Sequence, residues 1–113
     1  MTTQELEQLL LCAVAELRQA SDKIDSLSEK WATSDQSYRH KKAISYLQSE
    51  GTVQAREAQR DIACEVERRD AHLADALLSA ARDRKRALET EISAYQTIAG
   101  IIKAEMGLAG RYE

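Results

Sequence analysis

The sequence has no Phe and no Pro, a single Trp, four Tyr, and Gly at only four of its 113 positions, 51, 100, 107 and 110. The lack of Phe leaves little bulk for a globular centre, and the lack of Pro leaves nothing to force a helix to stop. The two cysteines, Cys12 and Cys64, belong to no CxxC or Cys/His spacing. They read as free thiols in a reducing compartment rather than as a disulfide or a zinc site. His40 and His72 have no Cys or His partner three or four residues away, so each reads as a surface residue, and neither a metal nor a cofactor is expected.

Catalytic signatures are missing as well. The sequence contains no Gly-rich phosphate loop, no HExxH and no nucleophile elbow. The carboxylates fall on solvated helix surface, where nothing excludes water or shifts their pKa values. The chain therefore reads as non-enzymatic. Long apolar runs are absent too: Leu9 to Ala15 is too short to span a bilayer, and Glu5 and Glu7 stand where a signal peptide carries Lys or Arg. Neither membrane insertion nor secretion by that route is expected, which points to the cytoplasm. A net charge of −3 with a pI near 5.5 argues against a wholesale nucleic-acid binder while leaving local basic patches open.

What is present is helix. The hydrophobic content of 43% comes mostly from Ala and Leu, and charged residues make up 31%, a composition of strong helix formers. Leu10, Leu17, Ile24, Trp31 and Tyr38 stand seven apart, and Leu6, Ala13, Ala20 and Leu27 fill the interleaved positions. Alternating four- and three-residue steps set both ladders on one stripe, which leaves water only by meeting another helix. Thr2 followed by Glu5 has the capping-box spacing, which starts a helix at about residue 3. The stretch 32–37 is rich in Ser, Thr and Asp, which favour a break, but Tyr38 keeps the phase of the ladder and favours continuation to about residue 50. Gly51 and Thr52 suit a reversal, with Thr52 capping a long second helix over about 53–106 and a frayed tail at 107–113. The expected fold is all-α, a single-domain long helical hairpin or coiled coil that self-associates, a dimer first, because a thin two-helix core buries little surface.

On a straight helix at about 100° per residue, Ile62, Val66, Leu73, Leu77, Ala80, Ala81, Leu88, Tyr95, Ile98 and Ile102 share one face. That face meets the first helix, a second copy, or both. Asp70 and Arg84 interrupt it, each seven residues from Leu77. Either both snorkel from a broad apolar face, or an antiparallel pair of long helices with Leu77 opposite Leu77 sets Asp70 beside Arg84 of the other copy. The expected interface is therefore Leu10, Leu17, Ile24, Trp31, Tyr38, Val66, Asp70, Leu73, Leu77, Arg84, Leu88 and Tyr95. Two basic clusters are candidate phosphate contacts: Arg82, Arg84, Lys85 and Arg86 on the long helix, and Arg39, Lys41 and Lys42 before the reversal. Acidic residues at ion-pair spacing make a solvated face the simpler reading, and no exposed aromatic is interleaved with the Arg residues to stack bases.

From Tyr38 onward the pattern resembles a loosely defined group of small helical proteins encoded by tailed bacteriophages and prophages. The resemblance is carried by Lys42-Ala43 with Tyr46-Leu47, by Glu50-Gly51-Thr52-Val53 with Arg56-Glu57-Ala58, and by Ser93-Ala94-Tyr95-Gln96-Thr97 leading to Lys103-Ala104-Glu105. It covers about two thirds of the chain. It implies a non-enzymatic accessory role, either around phage DNA replication and recombination, where nucleic acid is the partner, or against a host system, where another protein is.

Overall fold

The first helix starts on a reciprocal pair of caps. The Glu5 amide donates to Thr2 Oγ1 at 3.1 Å, and the Thr2 amide donates to Glu5 Oε2 at 3.1 Å, which satisfies two of the amides that a helix start leaves unpaired. A computed structural model describes residues 2–112, with the side chains of 2–107. Its element order is α1 (Thr3–Gln48), α2 (Val53–Ala63) and α3 (Glu65–Tyr112), with no strand among the described residues. The chain is all-α and forms a long helical hairpin. Helix α1 passes through 32–37 without interruption, as the phase of Tyr38 requires.

The reversal uses the chemistry expected of it. Gly51 adopts φ 106°, in the left-handed region where a side chain is strained. Thr52 is the N-cap of α2, its hydroxyl accepting from the Ala55 amide at 3.2 Å. Gln59 Nε2 donates to the Glu50 carbonyl at 2.9 Å, tying α2 back over the turn. One feature differs from the expected single long helix: Cys64, at φ −102° and ψ 11°, separates α2 from α3. The interruption is local, because the Cys64 amide still donates to the Arg60 carbonyl at 3.0 Å and the Arg68 amide to the Cys64 carbonyl at 2.9 Å. At the other end α3 runs to Tyr112, beyond the expected limit near 106. Glu113 and the side chains of 108–113 lie outside the described residues, and with them most of the tail expected to fray.

Packing divides into two compact units, Met1–Lys23 with Ala81–Glu113, and Ile24–Ala80. In the first, Leu6 and Ala13 are buried and Leu10, Leu17 and Ala20 half-buried on α1, while Leu88 is buried and Ala81, Lys85, Ile92, Tyr95, Ala99 and Ile102 are half-buried on α3. In the second, α1 contributes half-buried Ile24, Leu27, Trp31, Ser34, Tyr38 and Ser45 and then buried Ser49. The long helix answers there with buried Cys64, Ala71, Ala74 and Leu78 and half-buried Glu67. Two of the small hydroxyls on the α1 side find partners: Ser49 Oγ donates to the Ser45 carbonyl one turn back, and Ser45 Oγ accepts from Cys64 Sγ across the seam at 3.7 Å.

The seam on α3, continued from Cys64 just before it, is a strict heptad in both units, with Glu67, Ala71, Ala74 and Leu78 in one and Ala81, Lys85, Leu88, Ile92, Tyr95, Ala99 and Ile102 in the other. Such a repeat drifts by about 20° per seven residues on a straight helix. That drift corrects the face expected on the long helix. A fixed window captures Leu88, Tyr95 and Ile102, which do lie in the seam, but in residues 62–77 it selects Ile62, Val66, Leu73 and Leu77, which the fold leaves exposed.

Leu88 is 1% exposed, so Leu88→Ala is expected to lower the stability of the fold by about 2–5 kcal/mol. Gly51→Ala is expected to cost about 1 kcal/mol through its positive φ. Urea unfolding followed by circular dichroism, at one fixed protein concentration, measures both.

Candidate functional site

The feature of residues 24–80 that packing within the chain leaves unexplained is a second apolar stripe. Ile62, Val66, Leu73 and Leu77 are 77%, 62%, 59% and 44% exposed. Ile62 lies at the end of α2, before the break at Cys64, and the other three lie on α3, where with Arg69 and Asp70 they span about 100° at about 100° per residue. Large aliphatic side chains thus stand outside on this arm, while Ala71, Ala74, Cys64 and Leu78 are buried on its inner side against Ile24, Leu27, Trp31 and Tyr38 of α1. Beside the stripe runs a groove of about 310 Å³ lined by Lys30 and Ser34 of α1 and by Asp70, Leu73, Ala74 and Leu77 of α3. Arg69 Nη2 donates to Glu65 Oε1 at 3.2 Å, one turn back. Asp70 is exposed and has no ion pair among the described residues.

The expected interface residues therefore sort into two groups. Leu10, Leu17, Ile24, Trp31 and Tyr38 are half-buried along the inner side of α1, and Leu88 and Tyr95 lie in the seam of α3. Val66, Leu73, Leu77 and Asp70 stand outside it. Arg84 is exposed, and its Nη2 donates to Glu16 Oε2 at 2.8 Å across the hairpin. Tyr95 donates its hydroxyl to Glu91 Oε1 at 2.7 Å, and that bond raises the phenol pKa.

The structure draws the basic candidates into local pairs. Besides Arg84, Arg86 Nη1 lies 3.4 Å from Asp83 Oδ1, and Lys85 is half-buried at a seam position. Arg82 is exposed and unpaired among the described residues. Before the turn, Arg39 Nε meets Asp35 Oδ2 at 2.9 Å, Lys41 Nζ meets Glu67 Oε1 at 2.7 Å, and Lys42 Nζ sits 5.6 Å above the Tyr38 ring. One grouping escaped the linear reading, because it joins residues some twenty positions apart across the turn. Arg39, Lys42 and Tyr46 of α1 share a shallow concavity with Arg60 of α2, and Arg56 lies 6.0 Å over the Tyr46 ring. Arg60 itself pairs with Asp61 at 3.1 Å. Phosphate binding here would have to compete with carboxylates already in place.

The remaining chemistry is sparse. Cys12 is an exposed free thiol and Cys64 a buried one. Among the described residues no group of three or more His, Cys, Asp or Glu is placed to hold a metal, and none of the described helices is long and apolar enough to cross a membrane. In the unit Met1–Lys23 with Ala81–Glu113, an apolar cleft of about 260 Å³ opens between Leu6 and Leu10 on α1 and Ala99, Ile102 and Met106 on α3, with Glu7 and Lys103 also lining it. Comparison with family models, with curated proteins and with solved structures finds no match to this chain.

The Lys41–Glu67 pair joins α1 to α3. The hydrogen bond raises the Lys41 pKa and lowers that of Glu67. The lowered carboxyl contributes stability that is present above the ordinary carboxylate range and lost as pH falls through the lowered value. The raised amine contributes stability that is present below the ordinary lysine value and lost as pH rises through the raised one. Urea midpoints across a pH series are therefore expected to show a plateau between these limits, and Glu67→Gln is expected to flatten both shoulders. Shoulders that persist unchanged in the variant would remove this pair as their source.

Proposed function

We propose that the chain is a non-enzymatic helical interaction protein, a phage-type accessory or host-system inhibitor of the bacterial cytoplasm that acts by protein–protein binding as a homo-oligomer. One observation carries the reading: the exposed stripe of Ile62, Val66, Leu73 and Leu77, four large aliphatic side chains that the seam of the chain leaves in water. Full burial of an aliphatic side chain of this size is worth about 1.5–3 kcal/mol. A thin hairpin that leaves four of them in water in one region stands to gain several kcal/mol by covering them. The phage assignment rests on the resemblance around Glu50-Gly51-Thr52-Val53 and its flanking segments.

Sedimentation equilibrium at micromolar concentration tests the association directly. A concentration-dependent oligomer is expected, and a monomer throughout would remove the reading. The alternative, a nucleic-acid-binding accessory of phage DNA replication or recombination built on Arg82 to Arg86, is disfavoured by the pairing of Arg84 with Glu16 and of Arg86 with Asp83. Fluorescence titration of labelled single- and double-stranded DNA at low salt is expected to show no binding that a four-fold Ala substitution of Arg82, Arg84, Lys85 and Arg86 abolishes. Steep salt-dependent binding lost in that variant would reverse the preference.

A further inference from the structure

The turn is the positive end of an acidic chain. Between Arg39 and Arg60 the sequence carries five cations, Arg39, Lys41, Lys42, Arg56 and Arg60, against two carboxylates, Glu50 and Glu57, although the whole has a net charge of −3. Lys41 closes on Glu67. The other four gather around the concavity between α1 and α2, which measures about 440 Å³ and has Ala43, Tyr46 and Leu47 as its apolar part. Arg39, Lys42, Ala43 and Tyr46 share one stripe of α1, at steps of three, one and three residues, while Arg56 and Arg60 stand one turn apart on α2. Leu47 is 80% exposed.

Two of these cations are open to a new partner. Lys42 Nζ sits over the Tyr38 ring and the Arg56 guanidinium over that of Tyr46, and neither closes on a carboxylate among the described residues. Arg56 Nε is buried there without a hydrogen-bond partner. Arg39 and Arg60 hold Asp35 and Asp61 in local surface pairs, which carry little energy and exchange readily. We infer that this concavity docks an acidic amphipathic helix of another protein, which lays a row of aliphatic side chains on Ala43, Tyr46 and Leu47 and sets its carboxylates against Lys42 and Arg56. This face is not the stripe of Val66, Leu73 and Leu77, so the inference goes beyond the homo-oligomer reading and does not depend on it.

Shape and chemistry together select this occupant. A small molecule needs a pocket that buries most of its surface, and this concavity is shallow, whereas a rod laid along two helices gains contact over its whole length. A nucleic acid would be held by the cations alone. Leu47 offers nothing to a phosphate backbone, and Tyr38 and Tyr46, each half-buried with a cation over one face, are poorly placed to stack bases. A carboxylate-bearing helix uses both parts of the surface: its acids answer Lys42 and Arg56, and its aliphatic row removes Leu47 from water.

The test uses the full chain and a synthetic helical peptide whose Leu stripe is flanked on both sides by Glu, alongside the same peptide with Lys for each Glu. Fluorescence anisotropy is expected to show saturable binding of the Glu peptide and none of the Lys peptide. Lys42→Glu with Arg56→Glu is expected to raise the dissociation constant at least about tenfold, and Leu47→Gln at least about threefold. Arg82→Glu, at an exposed position outside the concavity, is expected to leave it within about twofold. Circular dichroism establishes that each variant is folded; if the double variant is not, Leu47→Gln and Lys42→Gln, each with a threshold of about threefold, decide in its place. Absence of saturable binding by the Glu peptide, or equal weakening by Arg82→Glu, overturns the inference. Labelled double-stranded DNA that displaces the peptide and is itself indifferent to Leu47→Gln assigns the surface to a polyanion and also overturns it. Sedimentation equilibrium on the same variants keeps the two readings apart. Self-association unchanged by Lys42→Glu with Arg56→Glu is expected; self-association abolished by it gives the concavity to a second copy and overturns the acidic partner, whereas a wild type that stays monomeric removes the homo-oligomer reading alone.

Discussion

Two helices can share only one seam, and the side chains chosen for it decide what is left for the rest of the surface. In residues 24–80 the long arm brings Cys64, Ala71, Ala74 and a single large buried residue, Leu78, to the seam, against Ile24, Leu27, Trp31, Tyr38 and the serines of α1. Small groups at a helix contact permit a short interaxial distance, but they remove little apolar area from water. The larger aliphatic groups, Ile62, Val66, Leu73 and Leu77, are consequently on another face. Residues 1–23 with 81–113 are arranged differently, with Leu6, Leu88 and the half-buried Ile92 and Tyr95 giving that seam more bulk. Apolar side chains stay in water in both units, Leu11, Ile101 and Met106 in this one and Ile62, Val66, Leu73 and Leu77 in the other.

Polar groups in the seam are organised around this thinness. Ser45 and Ser49 would be costly if buried without partners, and they avoid the cost by bonding back to their own helix and to Cys64. Lys41 and Glu67 reach across from α1 to α3 at the edge of the seam, where partial exposure keeps the desolvation penalty small. Several other cations follow the same economy: Arg39 and Arg86 close on carboxylates one turn away, and Arg84 spans the hairpin to Glu16. A surface with so many internal charge pairs presents little net field to a polyanion despite its many arginines.

The hairpin was legible in the sequence to the residue at its start and its turn, because capping and positive φ are local chemistry: Thr2 with Glu5, Gly51 and Thr52 act on neighbours a few positions away. The α1 ladder was legible for a related reason, since five bulky residues at sevenfold spacing admit few other readings. The inner face of α3 was not. Its heptad positions in the second unit are Cys64, Ala71 and Ala74, too small to stand out, whereas the exposed Ile62, Val66, Leu73 and Leu77 carry the stronger hydrophobic signal. A straight-helix window then merged two stripes that the supercoil separates. The break at Cys64 left no trace either, as Ala63-Cys64-Glu65 contains no residue that disfavours helix strongly, and the concavity of Arg39, Lys42 and Arg60 exists only once the turn is closed.

The thiol at that break has a use of its own. Cys64 is shut away in the seam beside Ser45, close to the turn, so an alkylating reagent can reach it only when the helices part locally there, and the rate of its modification reads the free energy of that opening. Cys12 stands in solvent on the outer side of α1 and reacts without any such event. The chain thereby carries an internal clock and its own reference, one thiol timing the fluctuations of the thin seam while the other calibrates the reagent.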